Sequence, residues 1–149
     1  MSLQKNVMDK LKEAMKSKDT VALESLRAIK SAILLAQTDK GAKAELTEVD
    51  ELKLLQRLVK QRKDSAAVYL EQGREDLAKP ELEQVAVIEQ FLPEQMSEEA
   101  IKNAVALIIS QAGASSMKDM GKVMGIASQQ LAGKADGKTI SNVVKALLS

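Results

Sequence analysis

The stretch LVKQRKDSAAVY, Leu58 to Tyr69, decides the fold class. Together with the residues just before it, it carries apolar side chains at Leu52, Leu55, Val59, Ala66 and Tyr69. Steps of three and four keep these positions on one face of an α-helix. The slot between Val59 and Ala66 belongs to an apolar residue, yet it holds Arg62, with Lys60 and Lys63 beside it. Two readings fit. Arg62 forms a salt bridge between helices, with Glu24 as a candidate partner, or it joins Arg27, Lys30 and Lys60 in a groove aimed at an anion. Arg27 and Lys30 in ESLRAIKSAI flank the apolar face of the preceding helix in the same way, and spacing alone leaves both readings open.

The helical period continues on both sides. Ser2 can cap a first helix whose inner face is Leu3, Val7, Leu11 and Met15. SKDT interrupts it, and Asp19 or Thr20 can cap a second, with Ala22, Leu26, Ile29, Ile33 and Ala36 in a 4-3-4-3 pattern ending near Gly41. Thr47 opens the long third helix. Glu48, Asp50 and Glu51 stand in its first turn, where the helix dipole favours negative charge, and Gly73 is a suitable stop. A fourth helix follows with Leu77, Val85, Ile88 and Leu92 inward. Pro80 predicts a kink or restart there, with the proline in a first helical turn.

FLPEQMS, Phe91 to Ser97, reads as a linker, because Pro93 blocks helix continuation and Ser97 with Glu98 and Glu99 opens a new helix. Five of the seven glycines come after it, and the helices shorten to about 97–112, 117–131 and 139–148. No strand-like alternation of useful length appears. The expected fold is all-α, with a larger N-terminal helical domain over 1–93 and a small C-terminal three-helix domain over 94–149.

Composition narrows the chemistry. The 149 residues contain no Cys and no His, which removes disulfides, thiol catalysis, Ser-His machinery and the usual zinc ligands. No nucleophile and base stand together and no carboxylate pair is marked out, so no catalytic residue, metal site or cofactor is expected. Tyr69 and Phe91 are the only aromatics, so stacking of bases on aromatic platforms is almost excluded. The opening MSLQKNVMDK lacks an apolar signal region, and no run approaches the roughly 18 apolar residues of a membrane span. A cytoplasmic location without membrane contact is the expectation.

The net charge of +1 hides an uneven distribution. From Gly113 onward five basic residues stand against two acidic ones. Lys118 and Lys122 are spaced i, i+4 and should share a helix face, while Lys134 and Lys138 bracket the Gly-rich turn GKADGKT. That turn is not a phosphate loop of the P-loop type. Gly133 and Gly137 are separated by three residues where the motif needs four, and the preceding strand is missing. The plainer reading is that Gly133 ends one helix and Asp136 or its successors begin the next. In DMGKVMG, Gly121 and Gly125 lie one helical turn apart and cost about 1 kcal/mol each against Ala. A compensating gain is expected, from a second helix backbone packing closely, or from an RNA phosphate or a partner chain. Met117, Met120 and Met124 form a stripe that reads as core.

The segments LVKQRKDSAAVYLEQGREDLAKPELEQVAVIEQFLPEQMSEEAI, GASSMKDMGKVMG and GKADGKTISNVVKALLS together resemble the YqeY-like proteins over essentially the whole chain. GKVMGIASQQLAGKADGKTISNVVKALL also resembles the tail domain of the B subunit of glutamyl-tRNA(Gln)/aspartyl-tRNA(Asn) amidotransferase. The related pattern there ends in Gly-Lys-Ala-Asn-Pro, whereas this chain has Ala135-Asp136-Gly137 and no proline. The resemblance implies an all-helical protein whose tail contacts tRNA, with the amidation chemistry residing in modules this chain has no room for. The function expected is a tRNA-binding accessory protein, using Lys118, Lys122, Lys134 and Lys138, alongside the amidotransferase or another translation-related protein. A second reading is a protein-interaction adaptor whose Met and Gly face docks a partner helix. A third, suggested by the family link, is carbon–nitrogen ligase activity with glutamine as amido-N donor.

Overall fold

The computed structural model describes residues 3–41 and 45–149. Among them are seven α-helices, one 3-10 turn and no strand. The all-α expectation therefore holds, and the proposed Ser2 cap lies outside the described residues. Two compact units divide the chain, Met1–Leu92 and Pro93–Ser149.

The first unit contains α1 (Leu3–Ser17), α2 (Thr20–Lys40), α3 (Glu48–Glu71) and α4 (Glu75–Glu89). Its core joins Val7, Leu11 and Ala14 of α1 to Leu26, Ile29 and Ile33 of α2, Leu55 and Val59 of α3, and Val85 and Ile88 of α4. The inner faces follow the expected stripes with two one-residue shifts. Met15 and Leu77 are exposed, and the smaller Ala14 and Ala78 beside them are buried. Ala66 of α3 and Ala78 of α4 are both buried outside the shared core cluster. The distal half of the α3–α4 hairpin thus packs through small side chains.

The helix ends are set by local chemistry. Asp19 caps α2 by accepting the Ala22 N–H at 3.1 Å. Thr47 and Asp50 form a reciprocal capping box at the start of α3. At its other end Gly73 takes φ +71°, which lets the Gly73 and Arg74 amides close back on the Leu70 and Tyr69 carbonyls. α4 begins directly afterwards and runs unbroken through Pro80. The proline therefore sits in the second turn, not at a restart. It forfeits one bond, to the Asp76 carbonyl, at an exposed residue where water can serve the freed oxygen.

Arg62 resolves the anomaly in the α3 stripe. It is half-buried, and its Nη1 donates to the Leu58 carbonyl one turn back at 3.1 Å. Its Nε donates to Gln84 Oε1 of α4 at 2.9 Å. Gln84 Nε2 in turn donates to Glu24 Oε2 of α2 at 3.1 Å. The expected Arg62–Glu24 salt bridge is thus replaced by a relay through an amide. A side-chain amide can stand between a group that solely donates and one that solely accepts, because it carries both an acceptor oxygen and a donor nitrogen.

The second unit contains α5 (Glu98–Ala112), a 3-10 turn (Met117–Asp119), α6 (Met120–Gln130) and α7 (Gly137–Leu148). Ile101, Val105 and Ile108 of α5 meet Val123 and Ala127 of α6, and Ile140, Val143, Val144 and Leu148 of α7. Leu131 and Ala135 in the α6–α7 loop complete this core. Met120 and Met124 pack against it, but Met117 is 46% exposed, so the methionine stripe is core only in part.

Two predictions follow from the first unit. Lys18 ends α1 in the left-handed region, at φ +58°, where a Cβ is unfavourable. Lys18→Gly should raise stability by about 0.5–1 kcal/mol, read from the urea midpoint at constant m-value. Arg62→Met should cost no more than about 1 kcal/mol, because it removes the charge together with its desolvation. Gln84→Met should cost more, about 1–2 kcal/mol, because it strands a half-buried guanidinium. The reverse order in paired denaturation curves would show that packing of the Arg62 stem, not the relay, matters.

Candidate nucleic-acid interface

The α6–α7 loop is held by a clasp. The Met96 amide donates to the Lys134 carbonyl at 2.9 Å, and Gln95 Nε2 donates to the Gly133 carbonyl at 2.7 Å. Gly133 is buried with φ +76°, and it turns the chain just after α6. Asp136 then caps α7, its Oδ1 accepting the Thr139 N–H at 2.8 Å. The GKADGKT segment is thus a helix-to-helix turn, as its spacing indicates. With the Gly133 and Lys134 carbonyls engaged and Ala135 buried, the Lys134 and Lys138 side chains are exposed on either side of the cap.

The four candidate lysines of this unit, Lys118, Lys122, Lys134 and Lys138, are not equivalent. Lys118, Lys134 and Lys138 side chains are exposed and make no hydrogen bond or ion pair among the described residues. Lys122 Nζ donates to the Ala112 carbonyl at the end of α5, at 3.2 Å. It closes that helix end together with Gly113, which takes φ +67°. Lys118 lies in the 3-10 turn ahead of α6, so Lys118 and Lys122 do not share one α-helix.

Gly121 and Gly125 overturn an expectation. Among the described residues no second helix backbone approaches them within 4 Å of a Cβ position. A Cβ at either position would meet nothing within 4 Å outside its own helix. At 100° per residue, Gly121, Lys122, Gly125 and Gln129 fall within an arc of about 100° on α6, and all four are exposed. Val123 and Ala127 occupy the opposite, buried side. The solvent face of α6 is therefore bare backbone at Gly121 and Gly125 beside Lys122 and Gln129, and the helix-propensity cost of two glycines is not offset by packing among the described residues of this unit.

In the first unit, the residues considered for an anion groove have separate fates. Arg62 is committed to Leu58 and Gln84, and exposed Lys60 pairs with Asp64 in its own helix at 3.0 Å. Arg27 and Lys30 are exposed and make no bond among the described residues. Lys63 reaches Glu89 of α4 at 3.2 Å. Periodicity gave no hint of Gln84 or Gln95, because an amide at a half-exposed helical or linker position looks like ordinary surface.

Among the described residues no helix is long and apolar enough to cross a membrane. Sequence comparison finds relatives in fungi. An uncharacterized protein of Schizosaccharomyces pombe is 33% identical over 96 residues, which span 64% of this chain and 76% of the relative. The Kluyveromyces lactis protein named "Altered inheritance of mitochondria protein 41, mitochondrial" is 30% identical over 139 residues, 91% of this chain and 70% of its own length. The protein of the same name from Clavispora lusitaniae is 37% identical over 82 residues, and the match spans about half of each, 55% of this chain and 46% of that one. Residues 4–148 match the family described as Yqey-like protein, and the chain belongs to that family.

Proposed function

We propose that this protein is a tRNA-binding accessory factor that does not itself carry amidation chemistry. The observation that carries the reading is the second unit's set of uncommitted amines. Lys118, Lys134 and Lys138 are exposed and without a side-chain partner among the described residues, two of them beside a turn whose Gly133 and Lys134 carbonyls are already occupied. Phosphates satisfy such amines without base reading, and neither an aromatic platform nor a bidentate arginine accompanies them. The resemblance of this segment to the amidotransferase B-subunit tail points to tRNA as the nucleic acid. The amidotransferase or another translation-related protein is the proposed working partner, and the cytoplasm the proposed place of action, although the fungal relatives are named mitochondrial.

A second reading, docking of a partner helix, is favoured by one observation. The open Gly121–Gly125 face of α6 would admit another helix backbone at close range.

Two experiments test these readings. Filter binding of the full-length protein to tRNA should weaken roughly 20- to 40-fold between about 0.05 and 0.2 M salt, as expected for about three phosphate contacts. Lys134→Ala with Lys138→Ala should flatten that salt slope, whereas no binding at low salt would end the RNA proposal. Gly121→Ala and Gly125→Ala should each stabilise the free protein by about 1 kcal/mol, read from thermal or urea unfolding. If they also weaken tRNA binding, the bare α6 face belongs to the RNA site. If binding is unchanged and a partner protein is lost instead, the adaptor reading takes its place.

A further inference from the structure

The four helices of the first unit pack as α1 on α2, α2 on α4 and α4 on α3, and α3 also touches α2. The ring is not closed. α1 and α3 make no comparable helix–helix contact, and a groove of about 750 Å³ runs between them. Leu3, Leu52 and Phe91 supply its apolar surface above the buried Leu55, and Asp9, Glu48 and Glu51 its carboxylates. The one lysine on its edge, Lys10, is turned to Glu13 at 3.4 Å.

The geometry points to this groove as the docking site for a basic amphipathic helix of a partner protein, its apolar stripe on Leu52 and Phe91 and its cationic edge along Asp9, Glu48 and Glu51. Three observations select that occupant. Among the described residues the groove lies alongside two helices, α1 and α3, that do not pack closely on each other, which favours a helix laid beside them over an extended peptide. Apolar floor and charged rim occur together, so the partner must carry both characters. The rim is acidic, so the complementary charge is positive. The Glu51 carboxyl is pushed above its ordinary range by burial first. A hydrogen bond from the Leu3 amide opposes that rise, and the charge of neighbouring Glu48 adds to it. An arriving cation would offset the repulsion from Glu48. This inference does not rest on the RNA reading, which concerns the other unit.

The chain has no Trp, so a peptide carrying a single Trp reports its own binding by emission. The probe is a synthetic helix of about 18 residues, five turns, with Leu at i, i+3, i+4 and i+7 spacing flanked by Lys and Arg. It is compared with a charge-reversed peptide in which Glu replaces the cations, and with a peptide in which Ser replaces Leu. The cationic amphipathic peptide should bind the full-length protein and shift the ring signals of Phe91, the single phenylalanine. Asp9→Lys with Glu48→Lys should weaken it at least about tenfold, while Glu81→Lys, outside the groove lining, should leave it within about twofold. Thermal unfolding of each variant confirms that it remains folded. The proposal is overturned if the charge-reversed or Ser peptide binds as tightly, if Phe91 does not respond, or if Asp9 and Glu48 reversal does no more than Glu81→Lys. It is equally overturned if sedimentation shows a dimer that the Asp9 and Glu48 changes dissociate, since the occupant would then be a second copy of this chain.

Discussion

A half-buried guanidinium on the inner side of α3 sets the terms on which the first unit can pack. A guanidinium has donors and no acceptor, so the fold must bring Arg62 acceptors. A carboxylate placed directly against it would take two charges out of water, at a cost that Coulomb attraction often fails to recover. The relay through Gln84 divides the task. The guanidinium meets an amide oxygen, the amide nitrogen meets Glu24, and that carboxylate stays on an exposed residue. Because the two ends of an amide are not interchangeable, this arrangement fixes one rotation of α4 against both α2 and α3. α1 stands outside the relay and packs mainly on α2.

The second unit is smaller and solves a related problem with backbone groups. Its helices are short, and its inner faces run from Ile101 to Leu148 without one aromatic ring. The connection between α6 and α7 is stabilised by donors from the chain just before α5, at Gln95 and Met96. Carbonyls that would otherwise repel an anion are occupied, and side chains on the same loop are left for solvent or ligand. Fixing the loop in this way reduces the ordering entropy that a ligand would otherwise have to overcome.

Much of this was legible in the order of residues. The i, i+3, i+4 stripes identified the helices, and Asp19, Thr47 and Ser97 marked their starts because few other side chains cap so well. Local signals failed where the outcome depended on distant or missing neighbours. Arg62 finds its amide 22 residues away, and that amide finds Glu24 60 residues away, so no window of helical length contains the relay. Pro80 was misplaced because proline reports what it forbids, not how many residues of helix precede it. Ala14 and Ala78 took inner positions from Met15 and Leu77 because close helix approach rewards a small side chain, which hydrophobicity alone ranks lower. Gly121 and Gly125 implied a close neighbour, and the described chain does not provide it. Of the site, the lysines were visible as residue types, but which amines are uncommitted depended on whether a carbonyl such as that of Ala112 lay within reach.

The overall charge of +1 is therefore a poor guide to what the surface attracts. It is the residue of two opposed local fields. One is a set of amines, Lys134 and Lys138 around the α6–α7 loop, without carboxylate partners among the described residues. The other is a set of carboxylates around an apolar groove whose nearest lysine is diverted to Glu13. A polyanion suits the first and is repelled by the second, and a cationic helix has the opposite preference. No one ligand chemistry satisfies both, so two surfaces of opposite sign on a chain of 149 residues argue for two ligands of opposite charge. Under either proposed reading the glycines of α6 serve contact: a face open to a phosphate backbone or to a partner helix gains from having no side chains, and stability lost there is the expected mark of a surface shaped for contact.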